Sequence, residues 1–129
     1  MIPMNHPATL LKLQALMPGT PSSDHPSPQR AIAGHPRRDT WNLVDAPSAG
    51  ALMSCGVWHC EPGHWRIAFP AEEHELFTVL EGRCRVHAAD GSFQEAGPGQ
   101  ALFIPGGFVG SFEVLEPLKK TYAIVSRAA

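Results

Sequence analysis

Glu75, Lys120 and Tyr122 are the residues on which chemistry would rest, because each sits in a short alternating apolar run. Every second residue of a strand points to the same face, so Glu75 shares its face with Phe77 and Val79. That face reads as the interior of a barrel. An ionised carboxylate there is expensive unless it is paired, and Glu75 therefore needs a cation. Lys120, Tyr122 and Ile124 alternate on one face of the last apolar run. We expect the Lys120 ammonium to be the partner of Glu75 and the pair to meet a polar ligand. The competing readings are a rim carboxylate in water and a lysine whose stem lies on the surface with its ammonium in solvent.

The chain has seven histidines. His6, His25 and His35 each precede a proline, which speaks for turns. His59, His64, His74 and His87 fall among the candidate strands. A transition-metal centre needs about three convergent N, O or S donors. Adjacent residues of a regular strand face opposite ways, so His74 and Glu75 do not converge without a bulge. The metal-binding alternative is Glu75 with His59 and His64. The expectation is that the histidines face solvent and that no metal is held. Glu72-Glu73-His74-Glu75 reads as a solvated acidic loop leading into a strand.

The elements that must position these groups are strands. From Asp39 onward short alternating runs are punctuated by Gly and Pro. The candidates are Thr40–Val44, Ala51–Trp58, Trp65–Phe69, Leu76–Leu80, Cys84–His87, Gln100–Ile104, Gly110–Leu115 and Thr121–Val125. Glu81-Gly82 reads as the turn of a hairpin and Asp90-Gly91 as a second tight turn. Residues 1–38 differ. Pro3, Pro7, Pro18, Pro21, Pro26, Pro28 and Pro36 make them a mostly irregular arm. Leu10, Leu13, Leu16 and Met17 recur at helical spacing between Pro7 and Pro18-Gly19, which predicts one short helix over 7–17. The organisation expected is an arm, 1–38, and one strand-built domain, 39–129.

At 129 residues with a formal net charge of -2, the chain gives no basis for nucleic-acid binding. No apolar run is long enough to span a bilayer, and Met1-Ile-Pro-Met-Asn-His-Pro7 does not open like a secretory signal. Cys55, Cys60 and Cys84 lack zinc-type spacing and read as small residues in a reducing cytoplasm. A Cys55–Cys60 bridge is the alternative.

Two spacings carry a family resemblance. Glu75 and Gly82 meet the pattern E-x6-G, and Gly99, Pro105 and Gly107 meet G-x5-P-x-G. In this the chain resembles the cupins, over roughly residues 40–126. Gly56-Val-Trp58, Glu61-Pro-Gly63, Ala96-Gly-Pro-Gly99, Phe103-Ile-Pro-Gly-Gly-Phe108, Phe112-Glu-Val and Lys120-Thr-Tyr122 stand in order around them. Together they look like the ureidoglycine-aminohydrolase-type small cupins. The resemblance implies an all-β, single-domain jelly-roll barrel (a double-stranded β-helix), usually dimeric, with a manganese centre in the named enzyme. The histidine positions of the cupin pattern are not met. Phe69 or Pro70 and Ala71 stand near the first two, and Gly110 stands at the third. Lys120 would then replace the missing metal as the cation facing Glu75.

The function expected is binding of a small polar metabolite inside the barrel, in a pocket of Glu75, Lys120, Tyr122, Phe69, Phe77 and Phe112. One alternative is a metal-dependent amide or ureide hydrolase using Mn, Zn, Fe or Ni. The other is a non-catalytic dimeric interaction module. A homodimer in the cytoplasm, without nucleic acid or membrane, is the expected setting.

Overall fold

The computed structural model describes residues 8–127. Among these residues nine antiparallel strands form one curled sheet: β1 Ser22–Asp24, β2 Ala31–Ala33, β3 Arg38–Ser48, β4 Ala51–Cys60, β5 Gly63–Ala68, β6 Glu73–Ala88, β7 Phe93–Ala96, β8 Ala101–Ile104 and β9 Val109–Arg127. The long strand β9 is the spine. Along one side it pairs first with β5 and then with β4, and along the other it pairs with β6 over nearly its whole length. β3 extends the sheet beyond β4, while β7 and β8 line the free side of β6.

Two pairs of expected strands, one of them expected as a hairpin, are single long strands. Leu76–Leu80 and Cys84–His87 are parts of β6, and Gly110–Leu115 and Thr121–Val125 are parts of β9. Glu81-Gly82 is therefore no turn. It is a bulge at which the pairing with β9 shifts register between Val79 and Cys84. Gly82 has φ 88°, and a side chain there would collide with the Pro117 carbonyl on β9. Pro117 has no N–H to offer the ladder, so the bulge sits where β9 has least to pair. The shift has a consequence for the core. Glu75, Phe77 and Val79 point inward at odd positions, whereas Cys84 and Val86 point inward at even ones. The register shift, in which β9 passes one more residue than β6 between Val79 and Cys84, keeps both halves of β6 apolar on the concave face.

That face carries the core. Val79, Cys84, Val86, Val114 and Leu118 pack with Trp65, Phe77, Phe112 and Tyr122. Burying such side chains contributes about 1.5–3 kcal/mol each. All three cysteines are free thiols, with Cys60 and Cys84 buried, so the Cys55–Cys60 bridge is not formed.

The helix expected over 7–17 does not form among its described residues, 8–17. Pro7 lies outside the described residues, and 8–17 contain no helical turn. Leu13, Ala15 and Met17 are half-buried while Lys12, Gln14 and Leu16 are exposed, an alternation of period two. The His59 Nε2–Ala15 carbonyl contact, 2.7 Å, holds this run against β4. A helix of about ten residues is marginal alone in water, and docking along a sheet stabilises the non-helical run instead. Farther on the arm is more regular than expected: β1 pairs with β3 and β2 with β5. Both otherwise open edges of the sheet path are thereby covered.

Candidate functional site

The concave face opens into a cavity of about 370 Å³. Strand alternation supplies its wall: Trp58 from β4, Trp65 and Ile67 from β5, Glu75 from β6, and Phe112, Lys120, Tyr122 and Ile124 from β9. Phe69, just after β5, completes one side, and Thr40, Asn42 and Ser54 make a polar patch opposite.

The Lys120 ammonium donates to Glu75 Oε2 at 2.9 Å. Their side chains are only 6 % and 11 % exposed, so the pair is largely stripped of water. Three rings compensate for that loss. Lys120 Nζ lies 4.1 Å from the Phe77 ring centre, 4.5 Å from Trp58 and 4.9 Å from Phe112. Each π face attracts the cation, by up to about 2 kcal/mol when water is excluded. The rings brace one another: Trp65 stacks on Phe112 at 5.4 Å, and Trp58 meets Phe112 edge-on at 5.7 Å. Lys120 contacts Oε2 of the Glu75 carboxylate, and Glu75 lines the cavity.

Tyr122 donates its hydroxyl to Asn42 Oδ1 at 2.7 Å. Burial pushes the Tyr122 phenol up to about 12, and Asp45 and other neighbouring anionic groups add to the rise. Gly56, directly across from Tyr122 on β4, makes room for this contact, because a side chain there would meet the Trp41 carbonyl and the Tyr122 hydroxyl. Burial likewise pushes the Cys60 thiol up to about 12 and the Cys84 thiol up to about 11. These thiols are inert packing groups.

The structure thus brings Glu75, Lys120, Tyr122, Phe69 and Phe112 to one cavity, with Phe77 against the ammonium from behind. It does not bring His59 and His64 to Glu75. Trp58 and Trp65 point inward, so their neighbours His59 and His64 point to the convex face. His59 stacks at a tilt on Trp41. His64 Nε2 meets the Ser111 hydroxyl at 2.8 Å, and burial holds its imidazole below the usual value, with His87 adding to the lowering and Glu113 opposing it. The reading of Glu75, His59 and His64 as one metal centre is therefore corrected. His64 and His87 are also half-buried and partnered rather than free in solvent. Asn42, Thr40 and Ser54 were not singled out from sequence. A polar residue beside a bulge in β3 carries no periodic signal, since the register shift between Asn42 and Val44 resets the alternation.

A nine-stranded antiparallel sheet curled about an apolar cavity is the architecture of a cupin. The model of the EutQ-like cupin domain matches residues 47–122, and the chain belongs to that family. Among solved structures it is similar to a protein of unknown function from Pseudomonas syringae pv. tomato, at 28 % identity and TM-score 0.74 over 87 % of this chain. It spans about half of that protein, 46 % of its length. It is also similar in fold to the EutQ protein of Clostridium difficile, at 19 % identity and TM-score 0.59, covering 72 % of this chain and 64 % of that one. Ectoine synthase from P. lautus shares the fold at 11 % identity and TM-score 0.55, covering 67 % of this chain and 62 % of that one. No curated protein matches. Among the described residues no helix is long and apolar enough to cross a membrane.

Proposed function

We propose that this cupin binds a small polar metabolite in its barrel through the Glu75–Lys120 pair, with no metal between ligand and protein. The observation that carries the reading is an ion pair lining a cavity of about 370 Å³ while being almost removed from solvent. Ligand sites take this form: apolar walls with a few convergent polar groups. Lys120 retains two N–H donors and Glu75 a second carboxylate oxygen. Together they complement a group that has an acceptor and a donor side by side, as an amide or ureide does. The carbonyl would accept from Lys120 and the N–H would donate to Glu75. The aromatic rings would cover the apolar body of the ligand, and Asn42 and Tyr122 would meet a second polar end.

This class of ligand is what the ureidoglycine-type resemblance suggests, but the hydrolytic chemistry does not follow. Among the described residues lining the cavity, Glu75 is the one carboxylate and none is a histidine or cysteine. That donor set does not fit the divalent metal of the resemblance, since about three convergent donors are needed. Phe69 occupies part of the wall that a first ligand would need, and Gly110 has no side chain to offer.

The test is calorimetric titration of a panel of primary amides, ureides and short carboxylates. Amide or ureide binding that is lost in Lys120→Met and in Ile67→Trp supports the reading. Ile67→Trp fills the cavity and leaves the ion pair intact, so it separates lost binding from lost folding. Binding that survives Ile67→Trp would place the ligand elsewhere and sink the proposal.

A second reading rests on the convex face. Met53, Leu76, Phe103 and Val125 are all exposed there, from 42 % to 61 %. They come from the neighbouring strands β4, β6, β8 and β9. An apolar patch of this kind marks an interaction surface, and a second copy of the chain is its proposed occupant. Sedimentation of wild type against Leu76→Lys/Phe103→Lys decides it: a wild-type dimer that becomes monomeric supports the reading, and a wild-type monomer rejects it.

A further inference from the structure

His64 on β5, His87 on β6 and Glu113 on β9 meet on the convex face of the barrel, on the far side of the sheet from the cavity. We propose that they form a binding site for a divalent transition cation, with zinc as the probe. This site is distinct from the barrel interior and independent of the ligand reading above.

The geometry comes from register. β9 is the central strand of the three. His64 lies directly across from Glu113, and His87 lies directly across from Ser111. The alternation that sends Trp65, Val86, Phe112 and Val114 into the core sends these polar side chains outward together. One donor atom from each of His64, His87 and Glu113 lies within 4.8 Å of the others. In a tetrahedral zinc site with bonds of about 2.0–2.1 Å the donors stand roughly 3.3 Å apart. Small side-chain rotations would therefore seat an ion without moving the backbone. The imidazole rings of His64 and His87 are 5.0 Å apart and tilted by 36°.

The donors are chemically suited. Two imidazoles and one carboxylate are the mixed N and O set that zinc, nickel and cobalt prefer. Each Nε2 now has a protein partner, Ser111 Oγ for His64 and Glu113 Oε1 for His87, both at 2.8 Å. An ion would replace both contacts, leaving the Ser111 hydroxyl or water for a fourth position. The cation that competes most directly is turned away. Arg85 stands across from Glu113 in the register, but its Nε donates to Glu95 Oε1 at 2.8 Å and its guanidinium covers the Phe93 ring. Phe93 also flanks His87 at 5.3 Å, which limits the rotation of that ring. Three ligands on three paired strands are held more precisely than ligands on loops. His87 and Glu113 remain 24 % and 27 % exposed, so an ion can enter from solvent.

An ion here would clip β5, β9 and β6 together behind Trp65 and Phe112, two walls of the cavity. The proposal is tested by titrating zinc chloride into the chelator-treated protein by calorimetry, and by the visible spectrum of the cobalt(II) form. We expect one equivalent of zinc per chain, a rise in Tm with added zinc, and cobalt absorption typical of four-coordinate N and O ligation. His64→Gln, His87→Gln and Glu113→Gln should each weaken zinc binding by more than about tenfold. The stacked His25 and His35 rings in the arm, 3.9 Å apart, are the main competing histidine pair. His25→Ala/His35→Ala should leave zinc affinity unchanged. No stoichiometric binding to wild type would overturn the proposal. So would binding that survives the three glutamine variants or disappears in the His25→Ala/His35→Ala variant. Wild-type cobalt spectra keep the test decisive even if one glutamine variant fails to fold.

Discussion

Glu75 and Lys120 on the concave face, and His87 and Glu113 on the convex face, are both paired at hydrogen-bond distance, 2.9 Å and 2.8 Å. β6 and β9 supply both pairs. Yet the inner pair is 11 % and 6 % exposed and the outer pair 24 % and 27 %. Inside, water cannot take over when one partner is lost, so the pair is held by mutual need and by three aromatic rings. Outside, solvent or an ion can replace either partner, and the contact is exchangeable. The same strands thus carry a charge pair that must stay intact beside the cavity and a donor cluster whose contacts solvent can replace.

The largest expected effect tests that contrast directly. Glu75→Gln or Lys120→Met leaves one buried charge unpaired and should cost about 3–5 kcal/mol in urea unfolding. The double variant should be more stable than either single one, because no uncompensated charge remains. Single variants within experimental error of wild type would show that water reaches the inner pair freely. Next, Gly56→Ala should cost about 1–3 kcal/mol, since a methyl there overpacks against Trp41 and Tyr122. It should also weaken ligand binding by displacing the Tyr122 hydroxyl, which calorimetry on the same variant reads.

Third is the loss of the Tyr122–Asn42 bond. Tyr122→Phe should cost about 0.5–1.5 kcal/mol near neutral pH. Above that the inner face gives the protein an alkaline limit. The Cys84 thiol is raised from about 9 to about 11 and the Tyr122 phenol from about 10 to about 12. Each group keeps its proton in the fold after the unfolded chain has released it. Their stabilisation is therefore complete below pH 9 and is lost as pH rises from 9 through 12. Unfolding midpoints should fall across that window, and Cys84→Ala/Tyr122→Phe should fall less steeply than wild type. The smallest effect belongs to the outer pair. In metal-free protein His87→Gln or Glu113→Gln should change stability by no more than about 1 kcal/mol. A larger loss would mean that the convex cluster is a structural lock rather than an exchangeable site.

The inward face of β9 was readable from Lys120, Tyr122 and Ile124, and that of β6 from Glu75, Phe77 and Val79, because a period of two needs only neighbours in the chain. The Lys120–Glu75 pairing was readable for the same reason, combined with the cost of burying a lone carboxylate. The helix over 7–17 was misread because Leu10, Leu13, Leu16 and Met17 fit a helical period while Leu13, Ala15 and Met17 fit an extended one. Only the surface on which the segment docks chooses between them. Glu81-Gly82 was misread because glycine at positive φ serves a tight turn and a bulge equally well. Which one forms depends on whether a long partner strand runs past it, as β9 does.

Which residues face the same way on one strand is a local matter of backbone pleating, and it was present in the order of the amino acids. Which residues from different strands meet is set by register across distant segments, and by the bulges at Asn42–Val44 and Gly82 that reset it. Tertiary pairing alone therefore placed Asn42 beside Tyr122. It also gathered His64, His87 and Glu113 into one cluster.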